Sequence, residues 1–391
     1  MTYIRHIEHE DIVHRCFRCG YCKFPADYSD FNCPSYKAFG WDTYSPGGRM
    51  WLTRAWLSGE LETSPRFAEI MFSCVTCDNC KTQCVFPKFK DFLTDIFQET
   101  RAELVNEGRI PPGVRDYLKA VAVSGNPYKR PQSERGDWAR GTGLKPYTSQ
   151  EYLFYAGSVG SYDEVGQKMA RSVGRLLVES GVSVGILGNE ETCDGNDVRT
   201  LGEMGLFAQL AEANIEKFKV KGVQKIITLD PHALNTFKKD YPAQGGKFKV
   251  LHYTEVFASL IKKKKIKLKA LPAKITYHDP CYLGRHQQIY NAPREVLKAI
   301  PKACLVEMRR HGPDAFCCGG GGGNFFTDIL GTAPDSASRV RVREALETGA
   351  SIIAVACPNC AKMLTDAVKM ENLEDKLEVL GIGEIIEKAK K

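Results

Sequence analysis

Three stretches in the last third of the chain decide its architecture: Lys274-Ile-Thr-Tyr-His-Asp-Pro-Cys281, Cys317-Cys318-Gly319 and Ile352-Ile-Ala-Val-Ala-Cys-Pro-Asn-Cys360. The first and third read as apolar strands that run into a cysteine. Cys281 is followed after 35 residues by the Cys317-Cys318 pair, and after 38 more by Cys357. The same frame occurs earlier in weakened form. There Ser158 is followed after 34 residues by Cys193-Asp194-Gly195, and Asp230-Pro-His-Ala233 comes 35 residues after Asp194. Matching order and spacing over two halves of roughly 115 residues mean a duplicated unit. The first copy keeps Cys193 alone of the five cysteines.

Working outward, further apolar runs at Tyr152–Tyr155, Val182–Leu187, Lys225–Leu229, Lys249–His252 and Leu305–Met308 read as strands. Between them, Ser161–Glu179 opens with the capping-box pair Ser161 and Glu164, and Leu201–Phe218 is apolar at helical spacing. Alternating strand and helix argues an α/β architecture with mostly parallel sheets. The chain up to residue 147 has a different texture, rich in aromatics and holding eight cysteines. Turn signals at Pro111-Pro112 and Asn126-Pro127 mark its end. The expected organisation is a helical segment 1–147, a degenerate α/β repeat 150–268 and an intact one 269–391.

Bulk composition excludes several classes. The 391 residues are 43% hydrophobic and 26% charged, ordinary for a globular protein. No apolar run approaches the eighteen or so residues that span a bilayer, and the polar start MTYIRHIEHEDIVHR is no signal peptide. Fifteen cysteines without an export signal, clustered at metal-ligand spacing, predict a reducing cytoplasm rather than a disulfide framework. The net charge of +7 is weak support for nucleic acid, because two thiolate-bound clusters at roughly −2 each would cancel much of it. The Lys262–Lys265 run reads as a solvated linker.

Cys74, Cys77, Cys80 and Cys84 form C-x2-C-x2-C-x3-C, and Cys16, Cys19 and Cys22 repeat it, followed after ten residues by Cys33-Pro34. Three thiolates at intervals of three let one tight loop wrap the face of a cube, and no zinc ribbon needs a third thiolate so placed. The pattern resembles the two-cluster bacterial ferredoxins, which exchange their fourth ligands. That resemblance implies one [4Fe-4S] cubane on Cys16, Cys19, Cys22 and Cys84, and a second on Cys74, Cys77, Cys80 and Cys33. Two features depart from it: Val85 stands where a proline would follow Cys84, and the insert before Cys33 carries Tyr28, Asp30 and Phe31. The insert is expected to cover a cluster or meet a partner. Trp51 and Trp56 are expected in the core, keeping water from the clusters.

Cys281, Cys317, Cys318, Cys357 and Cys360 offer one thiolate more than a cubane needs. Adjacent cysteines on extended backbone point apart, which suits an irregular cluster better than one tetrahedral ion. A zinc site and a redox disulfide of Cys357 with Cys360 also fit these residue types. Gly319–Gly323 let backbone approach sulfur and donate N–H groups to it. No Gly-Lys-Ser/Thr follows, so the run is not a phosphate loop.

The frame C-x35-CCG-x38-C-P-x-C after His278-Asp-Pro resembles the CCG domain of heterodisulfide reductases. With the ferredoxin motifs ahead of it, the whole chain is similar to the fused subunit of that enzyme. It is also similar to the iron–sulfur subunits of glycolate, lactate and glycerol-3-phosphate oxidising complexes. The resemblance implies that the five C-terminal cysteines hold one non-cubane [4Fe-4S] cluster. It further implies an oxidoreductase subunit in a hetero-oligomeric complex, passing single electrons to other redox subunits, a flavin-containing one among them. Reduction of a disulfide or thiol substrate at the C-terminal cluster is the alternative. CFRCGYCKFPADYSDFNCP, SPGGRMWL and FSCVTCDNC are similar to the electron-transfer subunit of the class II benzoyl-CoA reductase complex of anaerobes.

Ser158, Asp194, Asp230 and Ala233 stand at cysteine positions of the first repeat, so it is expected to persist as scaffold without a cluster. His278 and His311 lie near the C-terminal cysteines in sequence; His278 is expected as a packed histidine, and could also hydrogen-bond a cluster sulfur or relay a proton. His232 reads as a remnant, and Cys304 as a free cysteine. Nothing resembles a Ser-His-Asp arrangement, a dinucleotide fingerprint or a flavin site.

Overall fold

Each of the seven apolar runs forms a strand in the computed structural model of the chain, which describes residues 5–390. The first sheet holds β1 (Lys145–Pro146), β2 (Tyr152–Tyr155), β3 (Val184–Ile186), β4 (Lys225–Thr228) and β5 (Lys249–His252) in the order β1-β3-β2-β4-β5. The second holds β6 (Lys274–Tyr277), β7 (Cys304–Val306), β8 (Ile352–Val355) and β9 (Glu378–Gly381) in the order β7-β6-β8-β9. All pairings are parallel, with Leu153 opposite Ile226 and Ile275 opposite Ile352. The fold is therefore α/β with parallel sheets, and a helical segment precedes them.

The duplication read from the cysteine frame reappears as topology. Strands β2, β3, β4 and β5 follow the same path as β6, β7, β8 and β9. In each sheet the chain leaves the first strand toward one side and returns to the other. Such a reversal opens a crevice beyond the carboxyl ends of the two central strands. Ser158 and Asp230 lie just past β2 and β4, and Cys281 and Cys357 just past β6 and β8. All four residues of β8 are buried, as expected of a strand covered on both faces. Strands β1 and β9 went unread because two residues carry no pattern and Glu378–Gly381 is apolar at one end only.

Two helix readings need correction. Ser161–Glu179 is broken into Gly157–Tyr162 and Glu164–Glu179. Its cap is Asp163, whose side chain accepts from the N–H groups of Val165 and Gly166, in place of Ser161 with Glu164. Asp163 has extended backbone (φ −87°, ψ 137°), so it can turn its carboxylate onto the new helix, whereas Ser161 is still inside the previous one. The helix expected from Leu201 starts at Met204.

The chain divides into two interleaved units. One comprises the chain up to Lys119 with Asp197–Phe207 and Arg310–Arg341, and the other Ala120–Asn196, Ala208–Arg309 and Val342–Lys391. The second unit contains both sheets. Within it the repeats meet through the helix Glu164–Glu179. Arg175 forms a two-pronged pair with Glu387 (2.7 and 2.9 Å), and a Cβ on Gly383 would stand 2.6 Å from the Ser172 hydroxyl.

A Cβ at Gly166 would lie 2.2 Å from the Val159 carbonyl oxygen, which is backbone and cannot step aside. Gly166→Ala should therefore destabilise the protein by about 2–3 kcal/mol as an overpacked site. Chemical denaturation of the reconstituted protein checks this, with Gly205→Ala, which meets only the flexible end of the Glu203 side chain at 3.3 Å, as the milder comparison.

Candidate metal centres

In the first unit the eight N-terminal cysteines fall into two groups of four. Cys16, Cys19, Cys22 and Cys84 line one cavity with Phe17, Phe86, Phe89 and Leu93. Cys33, Cys74, Cys77 and Cys80 line another with Val75, Thr94 and Phe97, and Cys22 borders it too. Four sulfurs around an apolar wall are a donor set that fits a cubane cluster.

The loops close on these cavities through residues forced into left-handed backbone. Arg18 (φ 53°) and Gly20 (φ 85°) flank Cys19, and Thr76 (φ 49°) and Asp78 (φ 57°) flank Cys77. Reversals of this kind turn successive N–H groups inward as an anion-binding nest. Backbone N–H groups of Arg18, Gly47, Tyr36 and Phe86 donate to the sulfurs of Cys16, Cys22, Cys33 and Cys84 respectively. Burial pushes the thiols of Cys16, Cys22, Cys33, Cys80 and Cys84 up. Without metal these groups stay protonated, and only bound iron supplies the charge that makes buried thiolates favourable.

Two fully buried arginines brace the inner loop. Arg49 donates through Nε to Ile70 O (2.9 Å), through Nη1 to Tyr44 O (2.7 Å), and through Nη2 to the hydroxyls of Ser35 (2.9 Å) and Ser73 (2.7 Å). Its charge also pulls the Cys33 thiol down against the larger effect of burial. Arg101 reaches the carbonyls of Met71, Cys74 and Thr200. Both satisfy carbonyls at the C-terminal end of the helix Pro65–Phe72, from which the Cys74 loop departs. The arginines carry no cluster motif, so their role was invisible in the cysteine spacing. Trp56 is buried, while Trp51 is half-buried with the Arg18 guanidinium 3.8 Å from its ring centre.

The insert before Cys33 packs on Arg310–Asp314 of the same unit. Arg310 donates to Phe31 O (2.7 Å), Ala26 N–H to the Asp314 carboxylate (3.0 Å) and Asn32 to Asp314 O (3.0 Å). That segment leads directly into Cys317 and Cys318. Gly319 N–H donates to the Cys317 sulfur at 3.3 Å. Gly322 (φ +58°) lies so close to the inner loop that a Cβ would stand 2.6 Å from Cys74 O. The glycine run thus serves two contacts, one to sulfur and one to the loop that bears Cys74.

Cys281, Cys357 and Cys360 belong to the second unit, and Cys317 and Cys318 to the first. Cys357 precedes the helix Pro358–Met370 and Cys360 lies in its first turn, where the helix dipole favours a thiolate. Burial raises the Cys357 thiol, and Asp230 does too. Hydrogen bonding by Cys360 and His232, with the His232 charge, brings it below its usual value. Asp230 Oδ1 lies 3.9 Å from the Cys357 sulfur, and His232 Nδ1 lies 4.0 Å from it. The degenerate repeat therefore places Asp230 and His232 on a cysteine of the intact one. Cys193 is buried, Cys304 exposed, His278 buried and His311 exposed. Among the described residues no helix is long and apolar enough to cross a membrane.

Comparison with known proteins agrees with this layout. The 4Fe-4S dicluster domain matches residues 12–86, and the cysteine-rich CCG domain matches residues 152–238 and 275–365. One of the subunits of the "Dihydromethanophenazine:CoB--CoM heterodisulfide reductase" of Methanosarcina barkeri is 32% identical, with 96% of this chain and 93% of that protein covered. The "Probable iron-sulfur-binding oxidoreductase FadF" of Bacillus subtilis is 38% identical over 81% of this chain and 46% of its own length. The "EtfAB:quinone oxidoreductase" of Syntrophomonas wolfei is 32% identical over 82% and 47%. The chain thus spans about half the length of these last two relatives.

Arg49→Met should leave several buried acceptors unpaired and cost about 3 kcal/mol or more. Removing its charge should also lower the midpoint potential of the centre beside Cys33, leaving the other nearly unchanged. Denaturation and an EPR-monitored redox titration check the two effects.

Proposed function

The chain belongs to the family of CCG-domain iron–sulfur oxidoreductases that includes heterodisulfide reductase, and from that premise we propose that it passes single electrons through three clusters to another protein of a redox complex. Two are cubanes, on Cys16, Cys19, Cys22 and Cys84 and on Cys33, Cys74, Cys77 and Cys80. The third is a non-cubane [4Fe-4S] cluster on Cys281, Cys317, Cys318, Cys357 and Cys360, a ligand set that rests on the sequence frame and the family match. The functional segments are the helical dicluster domain 1–147, the degenerate repeat 150–268 and the intact repeat 269–391.

One observation carries the reading. Eight cysteines gather around two apolar cavities, and the glycine run that follows Cys317 and Cys318 packs on the loop of Cys74. A route from the dicluster domain toward Cys317 and Cys318 then needs no mobile carrier. Cys19 is exposed while Cys33, Cys77 and Cys80 are buried, which favours the outer cubane as the place of exchange with a partner. When bound, the clusters supply the one-electron chemistry. The protein's own residues hold sulfur in place, exclude water, and set potential through N–H donors and buried arginines.

We assign the chain to a reducing cytoplasm within a hetero-oligomeric redox complex. Two relatives are named for reactions with quinone and with a heterodisulfide, so a flavin-linked donor and a further acceptor are the partners proposed here. A benzoyl-CoA reductase complex is one such host, on the likeness of the cysteine-rich N-terminal text alone. The heterodisulfide name of a relative covered almost end to end favours a second reading, reduction of a disulfide at the C-terminal cluster.

Anaerobically purified protein should contain about twelve irons per chain. Cys84→Ser and Cys360→Ser should each disturb one cluster and leave the others. About eight irons in fully occupied protein would remove the third cluster from the proposal. Oxidation of the reduced chain by a disulfide, lost in Cys317→Ala, would promote the second reading over the first.

A further inference from the structure

The two segments that carry the ligands of the outer cubane bear charge of one sign. Residues 14–24 hold Arg15, Arg18 and Lys23, residues 81–90 hold Lys81, Lys88 and Lys90, and neither stretch contains an acid. Lys23 pairs with Asp42, and Lys81 with Asp78 and Asp95. Arg15, Arg18, Lys88 and Lys90 form no ion pair among the described residues. Asp91 follows Lys90 directly and offsets one of them. Burial raises the Cys16 and Cys84 thiols, while Arg18 pulls the first down and Lys90 the second, so both cations stand near the sulfurs.

Cations alone make an ordinary solvated face, but these surround exposed apolar surface. Every exposed large aromatic side chain among the described residues lies between Phe17 and Phe92. Phe17, beside the exposed Cys19, is 73% exposed, and Val85, beside Cys84, is exposed as well. The Phe17 ring packs 5.2 Å from that of Phe86, and both line the cluster cavity. Next to it opens a hollow of about 470 Å3, lined by Phe17, Arg18, Lys23 and Trp51. Phe17, Arg18, Gly20 and Gly47 line hollow and cluster cavity alike, so the two share a wall. Apolar surface kept in water, ringed by unpaired charge of one sign, marks a place where another protein settles.

We propose that this face receives an acidic one-electron carrier protein, whose carboxylates meet Arg15, Arg18, Lys88 and Lys90 around Phe17 and Val85. This rests on the reading that the outer cubane is where electrons are exchanged. Opposite charge steers the carrier so that its redox group arrives near Cys19, and the apolar centre excludes water from the contact. The carrier loses one electron, the outer cubane gains it, and no covalent bond of this chain forms or breaks. A second copy of the chain, bringing the same cations face to face, is repelled.

The test mixes full-length, anaerobically purified protein with reduced flavodoxin, an acidic one-electron carrier, in a stopped-flow instrument. Calorimetry of the oxidised pair reads binding apart from electron transfer. The second-order rate should fall about 10-fold or more between about 50 and 500 mM salt. Arg15→Glu with Lys88→Glu should weaken binding and slow transfer by about 10-fold or more at low salt. Lys263→Glu with Lys264→Glu, in the exposed lysine run, should change either by less than about twofold. Reduced methyl viologen, a small cation that needs no docking face, should reduce the Arg15→Glu, Lys88→Glu protein as fast as wild type. Binding and rate indifferent to salt and to that charge reversal overturn the inference. So does a wild-type dimer, or attachment to anionic vesicles, that the charge reversal abolishes. Transfer as fast in Cys84→Ser as in wild type removes the outer cubane as the exchange site, and the inference falls with that reading. The salt dependence of the wild-type protein decides the matter even if the variants misfold.

Discussion

Everything in the dicluster domain answers to the difficulty of burying thiolates. Four sulfurs in an apolar cavity repel one another once ionised and lose their hydration, and burial accordingly raises the thiols of Cys22, Cys33 and Cys80. Iron reverses that balance, so metal binding and local folding are one event. The protein prepares for it with left-handed turns at Arg18, Gly20, Thr76 and Asp78, which aim N–H groups inward. Arg49 and Arg101 then hold the helix end from which the inner loop springs. The turns suit an anion, and the arginines secure the backbone that carries one of them.

The α/β half meets a different requirement by a different route. A parallel sheet whose connections reverse leaves a crevice past the carboxyl ends of its central strands. Both sheets have that reversal, and in both the chemistry-bearing residues sit just beyond it: Ser158 and Asp230 in one, Cys281 and Cys357 in the other. Loss of thiolates from the first repeat left its backbone path intact. What stands there is an aspartate and a histidine against Cys357, a contact between repeats that no single repeat contains.

Much of this was legible in the residues. The seven strands and the duplication followed from apolar runs and cysteine spacing, because period and spacing are local properties of the chain. Helix ends were less legible. Asp163 displaced Ser161 as a cap because the chain bends later than the capping pattern suggests. Strand β1 is too short for any pattern, and Lys145-Pro146 pairs only because β3 offers an edge.

By itself the sequence determined which residues can bind metal and in what local loops, since ligand chemistry and intervals of three are written in consecutive residues. The tertiary structure alone decided what stands beside those ligands. Arg49 reaches Ser73 across 24 residues, Gly322 meets Cys74, and His232 meets Cys357 across 125. Such neighbours share no spacing rule, because side chains distant along the chain are brought together only by how helices and sheets pack.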